Sequence, residues 1–390
     1  MRRPSLYFLE PSKVGNQHLT LIEGYLAALA SSETIGRQYE LVLCASGATL
    51  AALPQGLKSD FRCEKVPVMD PERRRLVLKT FVELYVVLRN VSRLAENDCL
   101  FVSCVLPTTM WLLEKCMRLF PKKRFHAVLH GEIEGLFDSK LQSPSSYGYW
   151  STRWLKSRRP DSRIDLVVLD DFIKEKLISD FPHKFRDRTI SVVPHPIIWD
   201  DIKQTDTDGP TPIVCFVGYR SRFKGFDEFV RLADDHPGID FLAIGAGKVE
   251  DVRSGSTLPV VDNVAYLHEL SKCAAAVFPY SGLYTCSLSA AAMDALSVGV
   301  QVIAYDRPCF ESLAEEFGPD SVLICRSYSD LGATMIKHQL IKNSDKRNER
   351  LDRLSRSKYS IASVSISFER LLDSIPIELS ATKGEQRIEL

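Results

Sequence analysis

The chain has 390 residues, 45% of them hydrophobic, which is enough for two ordinary domains with sizeable cores. Its net charge is zero but unevenly placed: 29 Lys and Arg against 23 Asp and Glu lie in residues 1–200, leaving 21 against 27 after them, so the halves face different partners. Ten cysteines without a Cys-x-x-Cys pair, several in apolar runs (Cys44, Cys104, Cys215), fit reduced packing thiols in a cytoplasmic setting better than a disulfide framework or zinc module.

Taken in chain order, the opening apolar run Leu6 to Leu9 is too short for a signal peptide and reads as a first strand. The loop Pro11 to His18 and a helix through Ala30 follow. Strands are expected at Glu40 to Cys44, Cys99 to Cys104, Arg124 to Leu129, Asp165 to Leu169 and Ile190 to Val193, alternating with amphipathic stretches as in a parallel sheet covered on both faces. Pro194-His195-Pro196 ends that unit, because consecutive X-Pro steps continue neither a helix nor a central strand. His195 is therefore expected as hinge structure. The stretch Trp199 to Pro212, rich in Asp, Thr, Gly and Pro, is the linker candidate. A second alternating block runs from Ile213 to about Leu340, then the charged segment Lys342 to Ser357 and a helix from Ile361 to Leu372. The longest uncharged stretch, Cys273 to Met293, contains Pro279 and Gly282 and so reads as strand, loop and helix, not as a membrane span.

Residues 214 to 225, Val-Cys-Phe-Val-Gly-Tyr-Arg-Ser-Arg-Phe-Lys-Gly, run from an apolar strand through a glycine and a basic loop to a lysine-glycine pair opening a helix. Such a strand end delivers backbone N–H groups and fixed cations to a phosphorylated ligand. The strand Ala274 to Phe278 repeats the idea: it breaks at Pro279, passes through Tyr280 to Ser287, and enters a helix from Leu288 to Leu296 that Gly299 ends. Thr285 and Ser287 cap that helix or offer an anion site, and both roles use the same N–H groups. Two such sites in one half suggest a diphosphate.

Together these segments resemble the nucleotide-sugar domain of GT-B glycosyltransferases, most closely glycosyltransferase family 4. Gly218, Lys224 and Gly225 match the family's strand-end glycine and the lysine-glycine six positions on; Gly245 and Gly247 match its second strand, and Asp294 to Ala304 reads like its Glu-Ala-Met-Ala-x-Gly-x-Pro-Val-Ile-Ala. The resemblance implies two Rossmann-like domains facing each other across a cleft. Residues 1–199 are the acceptor domain, 200–360 the nucleotide-sugar domain, and 361–390 a helix returning to the first domain with a polar tail. The family carries arginine where Tyr219 stands, so Arg220 or Arg222 is expected to reach the diphosphate beside Lys224. Of the family's two glutamates, Asp294 holds the second place, able to accept from a ribose. Cys286 holds the first, which leaves retaining or inverting chemistry open; Cys286 itself reads as a small packing residue. Glu311 matches a glutamate after the family's next strand, or is a solvated acid at a helix start.

In the first half, Gly15-Asn16-Gln17-His18 lies where the family places a loop facing the cleft, with His18 a site residue or a cap. His130, at the end of the strand Phe125 to Leu129, resembles the family's strand-end histidine, which approaches the transferred sugar. Glu132 is the candidate base for inverting transfer, because activating a hydroxyl needs a carboxylate or imidazole within hydrogen-bond reach; Glu134 and Asp138 compete for the role. Two stretches suggest an anionic membrane surface at the inner face: Tyr147 to Arg159, interleaving aromatics with cations, and Arg73-Arg74-Arg75 before the apolar run from Leu76 to Leu88. A buried amphipathic helix with a basic rim is the other reading. Nucleic-acid binding lacks any recognition module.

These expectations add up to transfer of a sugar from a nucleoside diphosphate sugar to a hydroxyl of a lipid-linked or polysaccharide acceptor, with no cofactor and no metal, since helix dipoles and Lys224 neutralise the leaving diphosphate. A sugar-nucleotide epimerase of the same fold and a non-catalytic binding or scaffold protein are the alternatives.

Overall fold

A computed structural model of the chain describes residues 2–15, 18–69, 76–130, 134, 147–157, 163–198, 213–245, 247–260, 262–282, 284–337 and 344–373. The first sheet contains β1 (Ser5–Leu9), β2 (Glu40–Ala45), β3 (Arg62–Lys65), β4 (Cys99–Val102), β5 (Phe125–Val128), β6 (Ile164–Val168) and β7 (Ile190–Val192). All pairs are parallel, in the order β3-β2-β1-β4-β5-β6-β7. Burial on both faces explains why β1, β4, β5 and β6 are buried at every position, since helices cover both sides of such a sheet. Across the register Phe8 pairs with Phe101, and their rings stack 5.6 Å apart.

The second sheet holds β8 (Ile213–Val217), β9 (Asp240–Gly245), β10 (Lys248–Asp251), β11 (Thr257–Pro259), β12 (Ala275–Phe278), β13 (Gln301–Tyr305) and β14 (Val322–Cys325), in the order β11-β10-β9-β8-β12-β13-β14. β10 pairs antiparallel with both β9 and β11, so β10 alone runs against the other strands. Strand order reverses between β1 and β4 in one sheet and between β8 and β12 in the other, which places a ligand crevice at the carboxyl ends of those strands.

The helix Ile361–Asp373 crosses back onto the first domain. Phe368 packs its ring against Tyr25 and Phe101 at 5.3 and 5.0 Å, and Glu369 accepts a hydrogen bond from Ser32 at 2.5 Å. The helix Tyr147–Leu155 corrects the membrane expectation for its aromatic residues. Trp154 is fully buried against Phe185 and under the ammonium of Lys184, while half-buried Trp150 lies 5.6 Å from Trp111, so the core takes this face and only the rim, with Arg153 and Lys156, meets solvent. Arg158 and Arg159 lie outside the described residues.

The charged helix Ser344–Arg356 has a local logic of its own. Arg347 donates to the carbonyl of Ser271, Arg350 to those of Gly299 and Asp320, and Arg353 to that of Phe317. These carbonyls lie at or just past the carboxyl ends of the helices Asn263–Ser271, Ala290–Ser297 and Pro308–Phe317, where guanidinium groups satisfy orphan acceptors and oppose the helix dipole. Replacing Arg350 by Ala should cost about 1–2 kcal/mol in urea unfolding, while Lys346→Ala, at an exposed position, should be neutral. Equal midpoints for the two variants would show that the arginine ladder contributes nothing.

Candidate functional site

At the carboxyl end of β8 the backbone turns at Gly218, whose φ is +104° and whose N–H donates to Ile244. A methyl group on Gly218 would stand 3.3 Å from the ammonium of Lys224, so the lysine covers the bare strand end. Gly225 follows at φ +70°, and a Cβ there would lie 1.9 Å from the carbonyl oxygen of Pro279, at the end of β12. Glycine alone satisfies that left-handed geometry and that approach. The same crowding brings Gly245 against the carbonyl of Gly218, where a Cβ would come within 2.5 Å.

Lys224 lies over the rings of Tyr280 and Tyr284, 5.5 and 5.8 Å from their centroids, and burial pushes its pKa below the ordinary lysine value. Asp294 opposes that shift at longer range. Burial pushes the Asp294 carboxyl up to about 6, held back by the hydrogen bond that Tyr266 donates at 3.0 Å and by the Lys224 charge. Tyr280 and Tyr284 stack 4.5 Å apart. Tyr284 holds a left-handed φ of 69°, unusual for a residue with a bulky side chain and a mark of a segment over-determined by its surroundings.

The two arginines differ in place. Arg220 pairs with Glu250 at 2.8 Å and lies over the ring of Phe226, yet its buried Nη2 has no hydrogen-bond partner among the described residues. Arg222 is exposed in the one-turn helix Arg222–Lys224. Gly247 turns the chain between β9 and β10 at φ +76°, its carbonyl accepting from Val260. Thr285, Cys286 and Ser287 all donate to one carboxylate from the other domain: Glu134 accepts from the Cys286 N–H at 2.5 Å, the Ser287 hydroxyl at 3.0 Å and the Thr285 hydroxyl at 3.1 Å. Cys286 is fully buried, as a packing residue would be. Glu311 is exposed in the first turn of the helix Pro308–Phe317.

On the first-domain side, Gly15 turns at φ +62°, and His18 takes a left-handed φ of 59° just before the helix Leu19–Ser31. The His18 ring stands 4.3 Å from that of His130, which follows β5. His195 lies buried with Nδ1 2.9 Å from the Pro196 carbonyl, and burial, with His130 adding to it, pushes its pKa down to about 4. Asn16, Gln17, Glu132 and Asp138 lie outside the described residues. Glu10 went unnoticed in the sequence. It is fully buried at the end of β1, accepts from the N–H groups of Ser12 and Lys13 and from the Ser103 hydroxyl after β4, and so pins the strand ends on both sides of the switch point. The available signal was an acid directly continuing the apolar run Leu6 to Leu9.

No protein-family model matches the chain, and no curated protein sequence matches it. Among solved structures it resembles the sucrose-phosphate synthase of Thermosynechococcus elongatus, at 13% identity and a TM-score of 0.64 over 95% of this chain and 98% of that one. Anabaena HepE in complex with UDP and glucose matches at 11% and 0.64, over 95% of this chain and 100% of HepE. The trehalose 6-phosphate synthase of Burkholderia multivorans matches at 11% and 0.62, over 95% and 99%. Identities this low define the fold alone, and that fold is GT-B, two Rossmann-like domains facing each other across a cleft.

The carboxyl of Asp294 gives this site a pH signature. Its pKa is about 6 in the fold against 3.8 ordinarily, so its favourable contribution is complete below about pH 4 and is lost as pH rises through about 6. The melting temperature of Asp294→Asn, relative to the parent, should therefore climb across that window. A difference that stays flat across it would show that the buried carboxyl titrates normally.

Proposed function

We propose that the chain is a glycosyltransferase, akin to family 4, that moves a sugar from a nucleoside diphosphate sugar to a hydroxyl of a lipid-linked or polysaccharide acceptor in cell-surface polysaccharide or glycolipid assembly. The observation that carries the reading is the pair of cations at the β8/β12 switch point. Among the described residues, Lys224 lies on the bare backbone of Gly218 with no ion-paired carboxylate, and Arg220 keeps one buried guanidinium nitrogen without a partner. A diphosphate seated there completes both and supplies a negative charge that offsets the burial holding the lysine's pKa down. HepE was solved with UDP and glucose, which supports a nucleotide-sugar donor here.

The chemistry then divides between the domains. Lys224, Arg220 and the backbone at Gly218 hold the leaving diphosphate, and stabilising that charge as it develops lowers the barrier. Asp294, backed by Tyr266, stands behind Lys224 and accepts from the ribose. His130 and His18 stand on the opposite domain at the transferred sugar, and an acid from the segment after His130, Glu132 foremost, takes the proton of the acceptor hydroxyl. UDP or GDP should raise the melting temperature by several degrees at saturating concentration, because ligand that binds only the folded state stabilises it. Lys224→Ala should remove most of that rise. No rise with any nucleoside diphosphate would sink the donor site; binding without turnover of any sugar nucleotide, acceptor extracts included, would favour a scaffold, and sugar conversion without an acceptor an epimerase.

The acceptor side carries a second element of the reading, docking on anionic lipid. Val77, Leu78, Phe81 and Tyr85 are exposed along one stripe of the helix Leu76–Arg93, and exposed Arg89 continues it. Arg73, Arg74 and Arg75 directly precede this helix in the chain and lie outside the described residues. An apolar stripe flanked by arginines suits the headgroup boundary of a bilayer. No helix among the described residues is long and apolar enough to cross a membrane. The protein should float with anionic vesicles, not neutral ones, and high salt should release it. Phe81→Ser with Tyr85→Ser should abolish flotation and spare nucleotide binding. Equal recovery with both vesicle types would overturn the electrostatic anchor.

A further inference from the structure

Glu134 has an unusual position for a residue of the first domain. Its side chain is nine-tenths buried, and among the described residues its carboxylate accepts hydrogen bonds from the loop Thr285-Cys286-Ser287 of the second domain. Oε1 takes the Cys286 N–H and the Ser287 hydroxyl, and Oε2 takes the Thr285 hydroxyl. Hydrogen bonds to a carboxylate are roughly twice as strong as those between neutral groups.

We infer that Glu134 is a positioning residue that clasps the two domains over the transferred group and sets the geometry on both sides of the cleft. On its own side it stands four residues after His130, whose ring meets that of His18. On the other side, Thr285 follows Tyr284, the strained residue whose ring stacks on Tyr280 beneath the Lys224 ammonium. The chain carries Glu134 four residues beyond the His130 end of the strand, and the Glu134 bonds join it to the loop whose Tyr284 meets the Lys224 ammonium. When the carboxylate leaves, the loop loses the group that orders it and the histidine strand end loses its tie to the donor domain. The seat also accounts for the residue at 286. An acid there would set a second carboxylate against Glu134, and like charges in one buried site cannot both ionise without large cost. Cys286 contributes its N–H and a thiol whose pKa is raised by burial and by the Glu134 charge.

The positioning role rests on the glycosyl transfer proposed above, whereas the clasp itself is measurable without any substrate. In the ligand-free protein, Glu134→Ala should speed hydrogen exchange in the peptide containing Cys286 and Ser287 by about tenfold or more, since the bond closing that amide is gone, while peptides from β12 stay unchanged. In turnover, Glu134→Ala should lower kcat by about thirtyfold or more with KM for the donor and the nucleoside diphosphate melting shift nearly unchanged, the pattern of an interaction that matters at the transition state. Glu134→Gln, which keeps a carbonyl oxygen for the Cys286 N–H and the Ser287 hydroxyl, should recover most of that loss. Unchanged exchange overturns the clasp whatever the substrate. Faster exchange with full turnover overturns its positioning role, and a rise in nucleotide affinity of about tenfold in Glu134→Ala would show instead a plug that competes with the ligand for the loop. If no nucleoside diphosphate stabilises the parent, the transfer reading fails, and exchange alone decides the clasp.

Discussion

One buried carboxylate ties together the three parts of the chain. Asp170, which follows β6, starts the helix Asp171–Asp180 by accepting from the Phe172 N–H. It also accepts from Ser312 in the second domain, from Lys358 at 3.0 Å and from the Tyr359 phenol in the segment that leads back to the first domain. A carboxylate that is 1% exposed tolerates burial only when its lone pairs are filled. Loss of the Lys358 ammonium would leave that charge uncompensated, and loss of any neutral donor would leave a lone pair unfilled, so the first sheet, the second domain and the returning segment are coupled at this point. The neighbouring chain is equally constrained. The Ile197 N–H donates to the Tyr359 carbonyl, and Gly24 lets the helix Leu19–Ser31 lie so close to Pro196 that a Cβ would come within 2.4 Å.

Much of this fold was legible because parallel sheets write themselves as apolar runs. The expected strands at Leu6 to Leu9, Glu40 to Cys44 and Ile190 to Val193 lie within a residue or two of β1, β2 and β7. The strands that escaped notice are β3, β10, β11 and β14, at or next to sheet edges. Arg-Cys-Glu-Lys in β3 is mostly solvent-facing and charged, as edge strands often are, and carries no apolar pattern to read. The glycines and Lys224 were legible for a different reason, since their spacing encodes a backbone geometry that one segment builds by itself. The bridging roles of Glu10, Asp170 and Glu134 were not, because each rests on partners far away in the chain: Ser103 for Glu10, Ser312 and Tyr359 for Asp170, and for Glu134 residues about 150 positions on. Trp154 shows the converse: cations beside aromatics read equally well as a membrane face or a core face, and only its seat against Phe185 decides.

The charges of the molecule separate into those already answered and those left open. Glu114, Lys184 and Arg188 form a buried network at 2.8 and 2.6 Å, with Lys184 also donating to Ser157 and Arg188 to the Ile164 carbonyl. Such a set holds structure: both charges of the bases are answered by one carboxylate, and the buried Nε of Arg188 alone of these groups has no hydrogen-bond partner among the described residues. At the β8/β12 switch point the balance differs. Burial pulls the lysine and aspartate pKa values toward each other, Lys224 down and Asp294 up, and no ion pair links them directly. A site whose proton affinities are displaced this way responds to an added anion, which restores the lysine's preference for its charged form.

Asp170 and Glu134 also differ in how their bonds are distributed, and the difference bears on how the cleft can work. The partners of Asp170 come from three separate segments and include an ammonium at 3.0 Å, so no single displacement releases it. Those of Glu134 come from three consecutive residues of one loop and include no cation among the described residues. Three neutral donors on one loop can leave together, at the cost of exposing a carboxylate that water then solvates. The Glu134 bonds are thus a set that one movement of a single loop releases together, whereas those of Asp170 persist whatever one segment does.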